Sequence, residues 1–392
     1  MDAGNQTLLK KNNQRAIADY IIKNGPISRA DLSKRLKISK PTVSANITEL
    51  MDMQLLKEIG YSETDIGKKP MLVDFNKDFK YVLALDFISY ITRNKISVAV
   101  CNLYCEPIFI DNIELPYNFS AGVIKNYVPE ALAKLFEKNH VPVDKIGKLV
   151  LTAPTACYDE DHITFTCFNG DTINLADVFR PYFKNKIAVK NDINLAALGE
   201  KYFGVGKDAD DLLFVWAGLE VGGGIILGGE LYEGRDMTGG EMGLSRVYNE
   251  STGEYDTITH ITNTEGIRTY IQAHREEAER SKIASRLLDD TFYLEMMASA
   301  AHDGDQFCQD FARCIGRAIA PIAVNLAYTM DLQMAIIGGE YTMFGDYFLN
   351  EIRSSAVHIA AAAPQITSPY YTNSAMYGAF KFGADNIIAG LI

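Results

Sequence analysis

The chain has 392 residues, of which 47% are hydrophobic and 22% charged, enough material for two or three globular domains. Its net charge of −12, taken alone, argues against nucleic-acid binding. No uninterrupted apolar run reaches the roughly 18 residues of a transmembrane helix, and the polar N-terminus lacks a signal-peptide core, so we expect a cytoplasmic protein.

The charged residues are unevenly distributed along the chain. Residues 1–78 carry 13 Lys and Arg against 10 Asp and Glu, whereas the remainder carries 25 against 40. A localised basic excess matters more for DNA contact than the total charge does.

The six cysteines are scattered, without a C-x-x-C pair or a Cys/His cluster, so we expect buried free thiols and no metal site.

Residues 1–78 are predicted to form a winged helix-turn-helix. A helix over about Asn12–Lys23 ends at Asn24-Gly25-Pro26, and Ser28 then caps a short second helix. Ser39 caps a third helix, which has Pro41 in its first turn and an apolar stripe of Val43, Ile47, Leu50 and Met51. The strands Leu55–Ile59 and Met71–Phe75 form the predicted wing, and Asn76–Lys80 is the predicted domain boundary.

The third helix is the predicted DNA-reading element, because the second helix of such a pair enters the major groove through its N-terminal part. Its apolar stripe leaves Thr42, Ala45 and Asn46 as base-edge candidates. The phosphate candidates are Ser39, Lys40 and Ser44 on this helix and Lys68 and Lys69 in the wing turn. The alternative is a protein-docking module with a solvated basic turn.

From Tyr81 onward, strands alternate with helices, which predicts an α/β fold. The predicted strands are Tyr81–Asp86, Lys95–Leu103, Ile108–Leu115, Lys148–Ala153, Ile187–Val189, Leu212–Ala217, Gly223–Leu227 and Ala335–Ile337. Helices are predicted over about Ala121–Asn139 and Ile193–Tyr202, and over most of Asn263–Met330.

Several ordered motifs in this part resemble the signatures of the ROK family (repressors, open reading frames and kinases). They are Lys190–Glu200, Gly218–Gly234, Gly239–Gly243, Ile336–Gly339 and Gly378-Ala379, and the wing turn Gly67–Pro70 resembles that of ROK repressors. The resemblance spans about Asn12 to Ile388. It implies an actin-like ATPase (ribonuclease H-like) domain of two lobes around a sugar cleft, often in a dimer.

The expected domains are a winged helix-turn-helix at residues 1–78, a small α/β lobe at 79–190 with 376–392, and a large α/β lobe at 191–375.

Two departures from the family concern its phosphate-binding turns. ROK kinases begin with an Asp-x-Gly-x-Thr turn, but here Asp86 is followed by Phe87, Ile88, Ser89 and Tyr90, without a glycine to let the backbone approach a phosphate. Glu220 stands where the family has a small residue. A carboxylate there would repel a triphosphate by roughly 1–4 kcal/mol per close charge pair. The sequence therefore predicts no phosphoryl transfer.

The sugar side of the family pattern is retained. The resemblance implies that Asn191, Asp192 and Glu241 bind sugar hydroxyls, that Asn169 is a further contact, and that the Gly222-Gly223 turn borders the site. Capping of the following helix is the alternative role of Asp192, and the two roles are compatible. Leu244 replaces a family histidine, and Tyr248–Thr262 lacks the family's zinc cysteines, so we expect no zinc, and His260 is interpreted as a surface residue.

Together these features predict a ligand-responsive DNA-binding regulator of carbohydrate-related genes, most simply a repressor. The expected partners are double-stranded operator DNA, a small sugar-like effector and a second copy of the chain in a homodimer or higher homo-oligomer, with no cofactor and no membrane. Two alternatives stay open: a sugar kinase with an accessory DNA-binding domain, and a constitutive DNA-binding regulator with a vestigial ligand domain.

Overall fold

The computed structural model describes residues 3–62, 69–87, 95–116, 120–154, 164–166, 172–356 and 363–391. Lys68 and Asn169 lie outside these ranges, as do Cys157, Cys167 and the residues 88–90 that follow Phe87. In the described part of the chain, no helix is long and apolar enough to cross a membrane. Cys101, Cys105, Cys308 and Cys314 are free, buried thiols, as predicted.

The N-terminal residues form the predicted winged helix-turn-helix. Its elements are α1 (Ala3–Asn24), β1 (Ile27–Ser28), α2 (Arg29–Leu36), α3 (Lys40–Asp52), β2 (Leu56–Tyr61) and β3 (Met71–Phe75), with the strands in the antiparallel order β1-β3-β2. Both predicted caps are present, since Ser28 Oγ accepts the Asp31 N–H at 3.1 Å and Ser39 Oγ accepts the Thr42 N–H at 3.3 Å. The apolar stripe of α3 is buried against α1 and α2 through Val43, Ile47 and Leu50.

Helix α1 begins at Ala3 rather than at Asn12, where its apolar stripe predicts the start. The buried face consists of Ile17, Ala18 and Ile21, whereas Leu8 and Leu9 are exposed. A helix that is nucleated by packing can propagate into polar residues without burying them. Lys10 Nζ lies 2.7 Å from Glu49 Oε2 of α3, so the extended part of α1 also contacts the third helix.

The first lobe is an α/β layer built on a mixed sheet. Its strands β4 (Tyr81–Asp86), β5 (Lys95–Cys101), β6 (Pro107–Glu114), β7 (Ile146–Ala153) and β10 (Ile187–Asn191) lie in the order β10-β7-β4-β5-β6. The β4–β7 and β7–β10 pairs are parallel, whereas β4–β5 and β5–β6 are antiparallel. The helices α4 (Ala121–Lys138) and α5 (Leu175–Phe183) and the short strands β8 (Thr164–Thr166) and β9 (Thr172–Asn174) complete this lobe.

The second lobe has a sheet of similar size. Its strands β11 (Leu212–Ala217), β12 (Val221–Leu227), β13 (Glu230–Leu231), β16 (Met334–Gly338) and β17 (Gln365–Thr367) lie in the order β13-β12-β11-β16-β17, and β14 (Arg246–Asn249) pairs with β15 (Glu254–Thr257). The helices are α7 (Ile258–Thr262), α8 (Thr264–Ala273), α9 (Arg275–Glu279), α10 (Ala284–Leu288), α11 (Leu294–His302), α12 (Gln306–Thr329) and α13 (Asp346–Ser355). The predicted two-lobed α/β architecture is confirmed.

Two helices join the lobes, α6 (Asp192–Tyr202) and α14 (Ser374–Leu391). They cross at glycines: a Cβ on Gly378 would lie 1.8 Å from Leu195 O, and one on Gly199 would lie 2.0 Å from Ser374 O. Helix α6 packs on β12 of the second sheet, and α14 packs on β4 and β7 of the first. The division into residues 79–190 with 376–392 and residues 191–375 stays a proposal; its boundaries fall one residue before the end of β10 and two residues after the start of α14.

The winged domain contacts the first lobe through the β5–β6 turn. Tyr104 Oη donates to Asp74 Oδ1 at 3.1 Å, and its ring stacks on Phe75 at 6.0 Å between centroids. Lys77 Nζ lies 2.7 Å from Glu106 Oε2 of the same turn. These side-chain contacts join the end of β3 directly to the first lobe.

Candidate functional site

The recognition helix α3 presents only part of the surface that its sequence predicts. Ser39, Lys40 and Ala45 are exposed, and Thr42 and Ser44 are half-buried. Lys69 is exposed two residues before β3, whereas Lys68 lies outside the described residues. The Ser39 and Thr42 hydroxyls are 2.7 Å apart, so the start of the helix carries a pair of linked hydroxyls.

Asn46 is the exception among the predicted DNA contacts. Its side chain is 5% exposed, and its Nδ2 donates to the Thr42 carbonyl at 2.8 Å. This burial contradicts the prediction that Asn46 lies at a base edge. A residue at the edge of a helix's apolar stripe is buried or exposed according to which neighbouring helix packs beside it. Here α1 covers this side of α3, because Gln14 and Lys10 both contact Glu49.

A basic side chain from the neighbouring helix α2 also lies against the surface of α3. Arg29, the first residue of α2, places Nη1 3.2 Å from Ser44 Oγ and 3.5 Å from Thr48 Oγ1. Its Nη2 is 3.3 Å from Glu58 Oε1 on β2. Sequence patterns gave no signal for this contact, because it joins three elements that meet only in the folded domain.

The candidate ligand site lies at the carboxyl ends of the central strands of the first lobe, where α/β folds usually bind ligands. Asp86 at the end of β4 is level with Thr152 of β7, and Asn191 at the end of β10 is level with Ala153. Asp86 is fully buried; it accepts hydrogen bonds from Thr152 Oγ1 at 2.5 Å and from Asn373 Nδ2 at 2.9 Å. The hydrogen bond from Asn373 joins the end of β4 to the segment that precedes α14.

The two predicted hydroxyl-binding residues, Asn191 and Asp192, have different positions at the start of α6. Asn191 is the N-cap of α6, because its Oδ1 accepts the Asn194 N–H at 2.9 Å. Asp192 is therefore the first helical residue rather than the cap. Its side chain is 2% exposed, and the Ile193 N–H donates to Oδ1 at 2.9 Å.

Asp192 is in an unusual electrostatic setting for an aspartate. Burial, together with the carboxylates of Asp86 and, more weakly, Glu220, raises the pKa of Asp192 from 3.8 to about 7. Backbone N–H groups at Ile193 and Asp192 oppose this shift. The charged form is therefore strained in the ligand-free protein, and a donor placed on it would stabilise it.

The predicted Gly222-Gly223 turn is instead part of strand β12, which packs against α6. Gly222 and Gly223 are buried in β12, and a Cβ on Gly222 would lie 2.4 Å from Ile193 Cδ1. The Gly223 N–H donates to the Gly240 carbonyl at 2.8 Å, which places Glu241 next to the same strand. Glu241 is exposed and Asp192 is buried, so in the ligand-free protein water reaches the first carboxylate but not the second.

The side that would face a nucleotide carries negative charge. Phe87, directly after Asp86, is fully buried. Burial raises the pKa of the Glu340 carboxyl, and the carboxylates of Glu295 and Glu220 raise it further. Glu340 follows the Gly338-Gly339 turn, and a Cβ on Gly218 would overlap its carboxylate at 1.8 Å. A polyphosphate brought here would meet carboxylates from two turns.

The segment Tyr248–Thr262 forms the second half of β14, β15 and α7. His260 Nδ1 lies 2.6 Å from Asp256 Oδ2, and its side chain is half exposed. Among the described residues, no group of three His, Cys, Asp or Glu side chains is arranged to hold a metal ion.

Comparison with known proteins identifies both parts of the chain. The ROK family model matches residues 110–382, and a model of winged helix-turn-helix DNA-binding domains matches residues 11–57. The chain belongs to the ROK family. Its winged domain places it among the DNA-binding members of that family, as the sequence motifs predicted.

Curated relatives of this ROK protein are named repressors. A xylose repressor of Caldicellulosiruptor bescii is 26% identical over 89% of this chain and 88% of its own length. A xylose repressor of Bacillus subtilis is 29% identical over 62% of each chain. The N-acetylglucosamine repressor of Escherichia coli O157:H7 is 23% identical over 90% of this chain and 86% of its own.

Solved ROK structures share the fold. A ROK transcriptional regulator described as a homolog of the E. coli MLC protein superimposes with a TM-score of 0.77 at 20% identity over 98% of both chains. A ROK glucokinase from Streptomyces griseus, solved with glucose and AMPPNP, gives 0.59 at 21% identity over 77% of this chain and 98% of its own.

Proposed function

We propose that this protein is a ligand-responsive transcriptional repressor of carbohydrate-related genes, whose kinase-like domain binds a sugar or sugar derivative without phosphorylating it. The observation that carries this proposal is the contrast within one cleft. Asp192 is retained and buried, and its pKa is raised to about 7, whereas Phe87 and the carboxylates of Glu220 and Glu340 would face a nucleotide.

DNA binding is assigned to the exposed start of α3 and to the wing. Ser39, Lys40 and Ser44 would bind phosphates, and Thr42 and Ala45 would face base edges. Lys69, with Lys68, would bind phosphates or a neighbouring minor groove. Asn46 is omitted because its amide is buried inside the domain.

We assign effector binding to Asp192 and Glu241 as acceptors of hydrogen bonds from hydroxyl groups, with Asn191, Asn169 and the Gly222-Gly223 part of β12 around them. A polyol donating to Asp192 would relieve the desolvation of its charged form, and truncating either carboxylate should cost about 1–3 kcal/mol of affinity. The names of the relatives make xylose and N-acetylglucosamine the first sugars to test. Leu244, exposed at 72%, offers no polar group where the family has a histidine, so modified sugars belong in the same screen.

Regulation requires that the effector bind one conformation more tightly than the other. Closure of the lobes around a ligand would move the first lobe, and the Tyr104–Asp74 and Lys77–Glu106 contacts would carry that movement to the winged domain. In a homodimer, the spacing of two such domains would change and the operator would be released. A full switch requires about 5.5 kcal/mol of differential affinity. We place the protein in the cytoplasm with its DNA.

A sugar kinase with an accessory DNA-binding domain is the second candidate, and one observation favours it. A carboxyl with a pKa near 7 is suited to act as a general base towards a sugar hydroxyl. A coupled ADP-release assay with xylose, glucose and N-acetylglucosamine decides between the two. Turnover that disappears in Asp192→Asn would establish the kinase, whereas the proposed repressor gives no turnover.

The sensing function is tested by two linked measurements. Thermal-shift screening of sugars and sugar phosphates should give at least one stabilising ligand, and that ligand should lower the affinity for a duplex selected from random DNA. Asp192→Ala and Glu241→Ala should weaken the ligand, while Asp19→Asn, in an exposed ion pair on α1, serves as the matched control. If no polyol stabilises the protein, or the variants bind hits as the wild type does, the chain is a constitutive regulator with a vestigial ligand domain.

A further inference from the structure

The recognition helix is poor in the basic side chains that DNA backbones require. Its sequence from Lys40 to Asp52 contains one lysine, at its first position, and no arginine, but two acidic residues, Glu49 and Asp52. Because arginine and lysine neutralise most of the phosphates that a DNA-binding protein contacts, the domain has to supply positive charge to this surface from elsewhere.

Arg29 supplies such a charge from the neighbouring helix. Its guanidinium lies across the outer side of α3, where Nη1 contacts both Ser44 Oγ and Thr48 Oγ1, one helical turn apart. The first helix of a helix-turn-helix pair crosses the DNA backbone while the second enters the groove. Arg29, at the first position of that helix, is therefore placed where a phosphate would pass.

In the free protein, the other side of the same guanidinium is occupied by a wing residue. Nη2 lies 3.3 Å from Glu58 Oε1 on the edge strand β2, and the side chains are 32% and 39% exposed. An exposed ion pair of this kind is weak, since water and salt compete with it. A phosphate can offer Arg29 a fork-shaped, charge-assisted contact that the single oxygen of Glu58 does not make here.

We propose that Arg29 is a phosphate-binding residue of the operator complex, and that Glu58 holds it in the free protein and is exchanged for a DNA phosphate on binding. The proposal rests on the proposed DNA binding. In this arrangement Glu58 weakens binding to DNA of any sequence, because its carboxylate competes with phosphate for Arg29 and lies close to the incoming DNA backbone. Ser44 and Thr48 then orient the guanidinium rather than contact bases.

The test measures affinity and its salt dependence by fluorescence anisotropy, with the full chain, on one selected duplex and one scrambled duplex. Arg29→Met keeps an unbranched stem beside Met51 but loses the charge. We expect affinity for both duplexes to fall about tenfold at low salt and the slope of log K against log salt to decrease in magnitude by about 0.9. Arg29→Lys should restore most of the slope, because it restores the charge.

Glu58→Gln separates this role from a structural one. If the Arg29–Glu58 pair only supports the wing, breaking it should weaken DNA binding or leave it unchanged. The proposed exchange instead predicts tighter binding to both duplexes, by about three- to tenfold at low salt, with an unchanged melting temperature. Asp19→Asn, which breaks the exposed Arg15–Asp19 pair away from α3, should leave affinity unchanged.

Each outcome has a defined meaning. An unchanged salt slope in Arg29→Met, or unchanged or weaker binding in Glu58→Gln, overturns the proposal while leaving DNA binding by the protein intact. A wild-type chain that binds no duplex at low salt instead overturns the proposed function itself. Circular dichroism melts of the variants identify any loss of binding that comes from unfolding of the winged domain.

Discussion

The buried carboxyl of Asp192 gives the protein a specific dependence of stability on pH. Burial and the neighbouring carboxylates raise its pKa from 3.8 to about 7. At 1.36 kcal/mol per unit, the charged form destabilises the ligand-free fold by about 4 kcal/mol relative to the neutral form. Because the side chain is 2% exposed, solvent screening removes little of this effect.

The sign follows from which state holds the proton. Between pH 4 and 7, Asp192 keeps its proton in the folded chain but loses it in the unfolded chain, so the folded state loses stability as the pH rises through this window. The contribution is fully present below pH 4 and lost above pH 7. Asp192→Asn cannot ionise, so its stability relative to the wild type should increase with pH.

The magnitude can be measured as a difference in melting temperature. If the roughly 300 residues after the winged domain unfold together, their unfolding entropy is about 0.6 kcal/mol per kelvin, and 1.36 kcal/mol corresponds to about 2 °C. Differential scanning calorimetry from pH 5 to 8.5 should therefore show the Asp192→Asn protein gaining about 2 °C on the wild type per pH unit, up to pH 7. Above pH 7 the difference should level off.

The comparison has a built-in control, because titrating groups that do not interact with Asp192 are common to the two proteins and cancel in the difference, which leaves Asp192 and its coupled neighbours Asp86 and Glu220. Asp19→Asn, at an exposed pair, should show no such trend. A flat difference across the range would mean that Asp192 is hydrated in solution, and a difference of opposite slope would mean that its charged form is stabilised. Either result would remove the electrostatic basis for polyol binding at this residue.

Three further predictions concern packing and coupling. Gly378→Ala should lower the melting temperature by several degrees, since its Cβ would overlap the backbone of α6 at 1.8 Å, whereas Gly390→Ala, with nothing within 4 Å, should leave it unchanged in the same scan. Asn46→Ala should change affinity for selected and scrambled duplexes by the same factor in anisotropy titrations, because the amide is buried; a loss confined to the selected duplex would show that Asn46 reads bases after all. Tyr104→Phe, which removes the hydrogen bond to Asp74, should leave DNA affinity unchanged but weaken effector-induced release by about 0.5–2 kcal/mol, and unaltered release would exclude this contact from the coupling.

Local chemistry allowed much of this protein to be predicted from sequence. Ser28 and Ser39 specify their own caps, since a hydroxyl two or three residues before free backbone N–H groups bonds them without help from distant residues. The apolar period of α3 identifies Val43, Ile47 and Leu50 as core, and alternation of strands and helices identifies the α/β class. The motif resemblance located the ROK domain, which the family match confirms.

The tertiary structure decided what depends on residues far apart in the chain. Asn46 is buried because α1 covers the flank of α3, and periodicity cannot say which neighbour covers a flank. Arg29 reaches Ser44 and Glu58 only because α2, α3 and β2 meet. The raised pKa of Asp192 comes from burial in the packed fold and from Asp86, more than a hundred residues earlier in the chain. A sequence names which side chains carry charge, but the dielectric and the neighbours that set the energy of that charge exist only in the packed fold.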